Sequence, residues 1–347
     1  MAQYSRLQMP WRLFGWTSAV TILVVLEVLW SLGIGAAALT LLLIAVEVAF
    51  SLDNAILNAK VLQILSPFWR RMFLSIGVLI AVLGTRLLFP LLIVAISAHL
   101  SVGTTWEIAL HQPLRYSHEL IHSHTAIAAF GGSFLMVLAL YFFLFDSHER
   151  LWLERIEWRL QRLGNIWLPT VISLMIVAGL SLLAGRMNRN SMQLLLSGCL
   201  GIGTYLAVHG IAAFLDRRQG GVVYRRRSVS GSPALWLFLY LELLDASFSF
   251  DGVVGAFAIT NNLLLIAVGL GVGALWVRSL TVHMVQRGTL ARYIYLEHGA
   301  HYTITVVAIV LLISIFISVP SIIVGLLGLG IITSSFVASR QALLEEV

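Results

Sequence analysis

Five acidic residues stand where acids are expensive. Glu47 and Asp53 lie in the stretch EVAFSLDN, Glu47–Asn54, inside the nearly all-apolar run 39–65. Asp245 and Asp251 lie in DASFSFDG, Asp245–Gly252, inside the apolar run 235–259, with Glu242 just before them. Aligned, Glu47 matches Asp245, Phe50 matches Phe248, Ser51 matches Ser249 and Asp53 matches Asp251. Each copy is a carboxylate followed by F-S-x-D. A carboxylate at membrane depth costs roughly 2.5–3.5 kcal/mol on insertion scales, so two copies of one such pattern point to a task. The donors are all oxygen, with no Cys or Met among them. Hard oxygen donors suit Mn, Mg or Ca and do not select Cu(I) or Zn. The chemistry expected is the holding of a divalent cation in transit. So many like charges in low dielectric favour protonation when no cation is present, and an arriving metal expels those protons. Coupling of cation to proton movement is therefore expected.

Spacing constrains how the acids meet. Glu47 and Ser51 share a helix face, but Asp53, six residues on, points away on a regular helix. Both acids of a copy line one cavity if the helix breaks near 51–54 and near 249–252, a device of transporters. Asn54, Asn58, Gly252 and Gly255 suit such breaks. Glu242, Asp245 and Ser249 form a stripe at i, i+3 and i+7. Glu242, Ser51, Ser249 and Asn58 are the additional cavity or proton-coupling candidates. The purely structural alternative is that acids pair with the membrane arginines Arg86 and Arg278, and Glu27 with Arg86 is read as such a bridge. His209 reads as a helix-packing residue, and Phe50, Phe248 and Phe250 as packing or gate-lining groups.

The elements that carry these residues are membrane helices. The chain has 347 residues, 59% hydrophobic and 11% charged, with mean hydropathy +0.93. No ordinary soluble domain has that composition. About nine spans, eight to ten, are expected near 13–32, 36–60, 72–97, 125–145, 166–185, 191–214, 235–259, 262–283 and 302–337. The last run is nearly double length with Pro320 in its middle, which leaves one span or two. The fold class expected is an all-α polytopic bundle, one transmembrane transporter domain over 1–347. The N-terminal apolar stretch is too long for a typical cleaved signal.

The net charge of +6 is nearly all arginine, and the arginines sit between spans. Nucleic acid is not an expected partner; the positive-inside rule accounts for the balance. Placing the N-terminus in the cytoplasm of a bacterial-type inner membrane puts Arg70, Arg71, Arg155, Arg159, Arg162 and Arg225–Arg227 inside. Only Arg115, Arg186 and Arg189 then fall outside. The two motif helices become antiparallel, as in an inverted repeat with halves near 13–145 and 191–337. Segment 146–164 reads as an amphipathic helix on the anionic inner leaflet, with Trp152, Ile156 and Leu160 on one face. Segment 99–124 reads as an outer loop with His99, His111, His118, His122 and His124. The lone Cys199 forms no internal disulfide.

EVAFSLDNAILNA and LELLDASFSFDGVVGAFAIT, with HTAIAAFGGSFLMVLALYFF at His124–Phe143, resemble the TerC-like integral membrane proteins of the LysE transporter superfamily. The resemblance implies an inverted-repeat bundle and export of divalent metal, chiefly Mn2+. Carried over by position, the implied metal ligands are Glu47, Asp53, Asn54, Asp245 and Asp251. Gly252 stands where Asn54 stands in the first copy, so the half-sites need not be equivalent.

A competing signal is His118-Glu119-Leu120-Ile121-His122, a literal H-E-x-x-H. On a helix it sets two imidazoles for zinc with Glu119 as general base, which makes a membrane metalloprotease the rival reading. No soluble domain supplies a substrate cleft. A further reading has His118, His122 and His124 capture metal at the outer mouth. A third class of function is a non-transporting partner that hands metal to secreted enzymes. The expectation adopted is a transporter, not an enzyme, with a divalent metal and protons as small partners and the lipid bilayer as surroundings.

Overall fold

A computed structural model describes residues 10–97, 100–145, 150–187, 189–218, 229–257, 259–260, 262–317 and 319–345. These form fifteen α-helices and one π-helical segment, and no strand among the described residues. In chain order the first are α1 (Pro10–Leu32), α2 (Ile34–Phe50), α3 (Leu52–Ile64) and α4 (Pro67–Leu79). The π-helical segment Ile80–Leu88 follows, then α5 (Phe89–Ser97), α6 (Val102–His111), α7 (Pro113–Leu144) and α8 (Glu154–Arg162). The remainder are α9 (Leu168–Arg186), α10 (Ser191–Arg218), α11 (Ser232–Phe257), α12 (Leu263–Arg287), α13 (Thr289–Arg292), α14 (Leu296–Ser314) and α15 (Ser321–Glu345).

Among the described residues, eight helices are long and apolar enough to cross a membrane, and α2 with α3 makes a ninth as a bent pair. In addition, α11 covers the seventh expected span with 26 residues. The protein is a multi-pass membrane bundle. Many large apolar side chains point outward, such as Trp16, Leu23 and Trp30 on α1 and Leu182 on α9. In water such surface would be a liability; in lipid it is the expected exterior. The last apolar run, open between one span and two, divides into α14 and α15, and the break falls before Pro320, which cannot continue a helix. One expectation needs correction. The histidine-rich outer segment is not an open loop: its described residues form α6 and the start of α7, with Ser101 capping α6 through Thr104 N–H at 3.1 Å.

The chain divides into two compact units that interleave along the sequence. The first takes Met1–His122 and Arg226–Ala291, the second Ser123–Arg225 and Arg292–Val347. Neither coincides with a sequence half. In the first unit, α12 packs against α1, α2, α3, α4, the π segment and α11. Its run Gly269-Leu270-Gly271-Val272-Gly273 allows that closeness. A Cβ on Gly269 would lie 2.7 Å from Leu43 Cβ, and one on Gly273 would lie 2.5 Å from Glu47 Cβ. Two glycines four apart thus receive two α2 side chains four apart, the small-xxx-small mode of membrane packing. The matched direction makes α2 and α12 parallel.

The second unit holds α7 from Ser123 onward with α8, α9, α10, α14 and α15. Its core includes Phe142 stacked on His301 at 3.6 Å between ring centres. Ser133 Oγ donates to the Gly198 carbonyl at 2.8 Å, tying α7 to α10. The helix expected on the inner leaflet is present as α8. Its Glu157 is buried, accepts from Trp152 and Leu153 N–H at 3.2 Å each, and meets His298 at 3.3 Å. Ile156 and Trp158 remain exposed on it.

Candidate functional site

The first motif does break. Ser51, at φ −108° and ψ 18°, separates α2 from α3, which are bent by 55°. Two bonds bridge the break: Ser51 N–H to the Glu47 carbonyl at 3.1 Å and Ala55 N–H to the Ser51 carbonyl at 3.0 Å. The Ser51 hydroxyl also donates to Glu47 Oε1 at 3.1 Å. The bend puts Glu47 in the last turn of α2 and Asp53 and Asn54 in the first turn of α3. Asp53 Oδ1 accepts from Asn54 N–H at 2.9 Å, at a helix start that favours negative charge.

The second motif does not break, contrary to expectation. The backbone of α11 is helical from Ser232 to Phe257. Gly252 faces the first copy there: a Cβ on it would lie 3.4 Å from Glu47 Oε2, in ordinary contact with the carboxylate. The motif helices run antiparallel. Val229, before α11, exchanges hydrogen bonds with the end of α3: Val229 N–H to Ile64 O at 2.7 Å and Ser66 N–H to Val229 O at 2.8 Å. Further along, Asn54 at the start of α3 donates from Nδ2 to Asp245 Oδ1 at 2.7 Å.

Where the copies meet, one arginine links them. Arg86 projects from the π-helical segment and is 1% exposed. Its Nη2 bonds Glu47 Oε1, and its Nη1 reaches Asp245 Oδ2 at 3.4 Å. The same Nη1 donates to Ala81 O at 2.5 Å and Thr85 Oγ1 at 3.0 Å. Glu47 and Asp245, the matched acids of the two copies, therefore share one guanidinium. Glu242 has its own: both carboxylate oxygens take Arg278 Nη2 at 3.1 Å, with Phe73 below the guanidinium at 4.0 Å. Gly77 admits this pair, since a Cβ there would lie 2.5 Å from Glu242 Oε1. The expected Glu27–Arg86 bridge is corrected: Glu27 is exposed and Arg86 is committed to the motif acids.

Asp53 is different. It is 1% exposed, and its Oδ2 has no hydrogen-bond partner among the described residues. Asn54 Oδ1 and Asn58 Oδ1, four apart on α3, are likewise buried without partners. Among the described side chains, Glu47, Asp53, Glu242 and Asp245 face Arg86 and Arg278, a formal excess of two negative charges that leaves Asp251 uncounted.

The chain matches, over residues 52–343, the model of a family described as "Protein of unknown function (DUF475)". The chain belongs to this family. No curated protein and no solved structure matches it. The stretch shared with the DUF475 family begins within the first motif; it takes in Asp53, Asn54, Arg86, Asp245 and Arg278 but not Glu47.

In this DUF475 member, Glu47, Asp53, Asn54 and Asp245 lie in one buried cluster joined by hydrogen bonds and adjacency. Asp251 and Ser249 sit on α11, with side chains outside the described set. Among the described residues no group of three or more His, Cys, Asp or Glu forms a metal cage. The physical reason is visible in the bonds: Arg86 and Asn54 divide the oxygens of Glu47 and Asp245 between them. The H-E-x-x-H residues fall on helix α7, with His118 exposed, Glu119 half-buried and the His122 side chain outside the described set. His124 is half-buried and meets Ser314 Oγ at 3.5 Å. His111 closes α6 with its ring 3.2 Å from Glu107 O, and His99 lies outside the described residues. His209 stacks on Tyr205, in keeping with packing. Sequence reasoning missed the role of Arg86 as the shared partner and the glycines that admit the ion pairs. The run at 269–273 was the signal available for the latter.

Proposed function

We propose that this protein exports a divalent cation, Mn2+ foremost, across a bacterial-type inner membrane through the acid cluster between α2/α3 and α11. Its N-terminus lies in the cytoplasm. The observation that carries this reading is Asp53: a buried carboxylate at membrane depth with one oxygen unpartnered, beside two buried amide oxygens in the same condition. Buried polar groups are nearly always satisfied, and an acid kept only for structure would be tied to an arginine, as Glu242 is. Three hard oxygen atoms with unused lone pairs on one short helix suit a Mn2+, Mg2+ or Ca2+ ion. The resemblance to TerC-like proteins supports Mn2+ over the other two, and export over uptake. The antiparallel motif helices suit alternating access about a central site.

The test is flux from proteoliposomes loaded in turn with Mn2+, Ca2+ and Mg2+, with a pH-sensitive dye to follow proton counter-movement. Mn2+ should leave the wild-type vesicles, and Asp53→Ala should lower the rate by at least about tenfold, the worth of one good ionic contact. Glu119→Gln should leave it intact; if that change alone silences the protein, the metalloprotease reading takes its place. Folded protein that moves none of the three ions would sink the transport reading.

A further inference from the structure

The cluster already contains a cation, and it belongs to the chain. Arg86 is the largest fully buried side chain among the described residues, and it bridges the matched acids of the two motif copies. Resting on the transport reading, we infer that Arg86 is a tethered counter-cation: its guanidinium fills the place between Glu47 and Asp245 that the divalent ion takes when loaded, and the ion displaces it.

Three features of the geometry carry this. First, the contacts are unequal. Nη1 is held closely by Ala81 O at 2.5 Å and Thr85 Oγ1 at 3.0 Å and loosely by Asp245 at 3.4 Å, while Nη2 bonds Glu47 tightly, so Asp245 is the weaker acid contact. Both closer acceptors lie on Arg86's own helical turn, so a guanidinium that let go of the acids would keep them. Second, Arg86 sits on the one π-helical segment among the described residues. Such turns are inserted residues in an otherwise α-helical path and recur at functional sites. Relaxing one π turn to α geometry changes the register of Arg86 about the helix axis by about one residue, about 100°. Third, each acid is braced by a group other than the arginine, while the guanidinium keeps one nitrogen unused. Glu47 is held by Ser51 and backed by Gly273, and Asp245 is held by Asn54. The Nε of Arg86 has no partner among the described residues.

The consequence is electrical. A carrier whose unloaded acids were bare could not reorient across a low-dielectric medium, because uncompensated buried charge is prohibitive. With Arg86 swung in, the unloaded pair Glu47 and Asp245 keeps a net charge of one instead of two; with metal bound, the ion takes over that role. Arg86 thus serves the return of the unloaded carrier, while the loaded crossing needs it moved aside.

Two vesicle measurements separate these steps: net Mn2+ efflux, which requires unloaded return, and tracer Mn2+–Mn2+ exchange, which does not. Arg86→Gln should lower net efflux at least about tenfold, while exchange persists and half-saturates at lower Mn2+, since no guanidinium competes. Arg86→Lys, which keeps the charge, should restore much of the net efflux. Arg86→Gln losing both fluxes in parallel, or keeping net efflux, overturns the inference. Wild type with neither flux takes down the transport reading and this inference with it. Folding supplies a second readout: Mn2+ should raise the melting midpoint of purified Arg86→Gln more than that of wild type. Equal shifts, or a variant misfolded at every Mn2+ concentration, also overturn it.

Discussion

A buried carboxylate oxygen without a donor lowers stability, and the sign of that cost can be measured at Asp53. Its Oδ1 takes the Asn54 N–H, a bond that an amide oxygen accepts equally well. Asp53→Asn removes the charge and keeps the bond. It should therefore melt no lower than wild type, with a gain of up to roughly 1–3 kcal/mol from relieving the desolvated charge, while Mn2+ flux is lost. A fall in melting point with flux intact would return Asp53 to a structural role. Arg86 shows the opposite sign. In chelator, Arg86→Met leaves Glu47 and Asp245 uncompensated and should cost about 3–5 kcal/mol in a denaturation series; Glu47→Gln in the same chain should recover part of it, as coupled sites do. The acids were legible in the sequence because charge in an apolar run has few innocent explanations. Arg86 and Arg278 were legible as possible partners too, but which acid each takes was not. Sequence spacing ranks Glu27 and Glu47 alike as neighbours for Arg86; only packing shows that Glu27 faces outward.

At the level of elements, the two motif copies reach one cluster by different means. The first breaks at Ser51 and bends by 55°; the second stays helical, with Gly252 facing Glu47. The shared pattern fixed which side chains are present but not the backbone: the break falls at Ser51, while the aligned Ser249 stays within helix α11. The glycines of α12 hold the arrangement. Gly273→Ala sets a methyl 2.5 Å from Glu47 Cβ and 3.2 Å from the Ile44 carbonyl, which a backbone cannot yield cheaply. It should destabilise by about 1–3 kcal/mol, as overpacking does, and shift Glu47 away from Arg86 with loss of flux. Gly203→Ala on α10, which has nothing within 4 Å, is the control and should change neither midpoint nor flux by a measurable amount. Equal effects at the two glycines would mean that helix propensity, rather than the approach of α2, sets the response. That α12 presents glycine to α2 could be guessed from the run at 269–273, yet the partner helix could not, since several apolar helices would accept it.

For the whole molecule, the number of spans decides where the chain ends. Taking α1, α2/α3, the helix through the π segment, α7, α9, α10, α11, α12, α14 and α15 as ten crossings returns the C-terminus to the side of the N-terminus. The apolar runs made nearly all of these spans readable. The exception was 302–337, whose composition is uniform and whose division depends on the backbone around Pro320. Arginine placement supports a cytoplasmic N-terminus, and the same placement agrees with α2 parallel to α12 and antiparallel to α11 inside the first unit. The single cysteine makes the arrangement testable. In a Cys199→Ser background, one new cysteine at a time is offered to a membrane-impermeant maleimide. Thr104→Cys on α6 is exposed and should label in intact cells. Gln341→Cys near the end of α15 should label only after lysis. Labelling of both in intact cells would cut the count to an odd number. Labelling of Gln341→Cys alone would invert the molecule and overturn the cytoplasmic N-terminus.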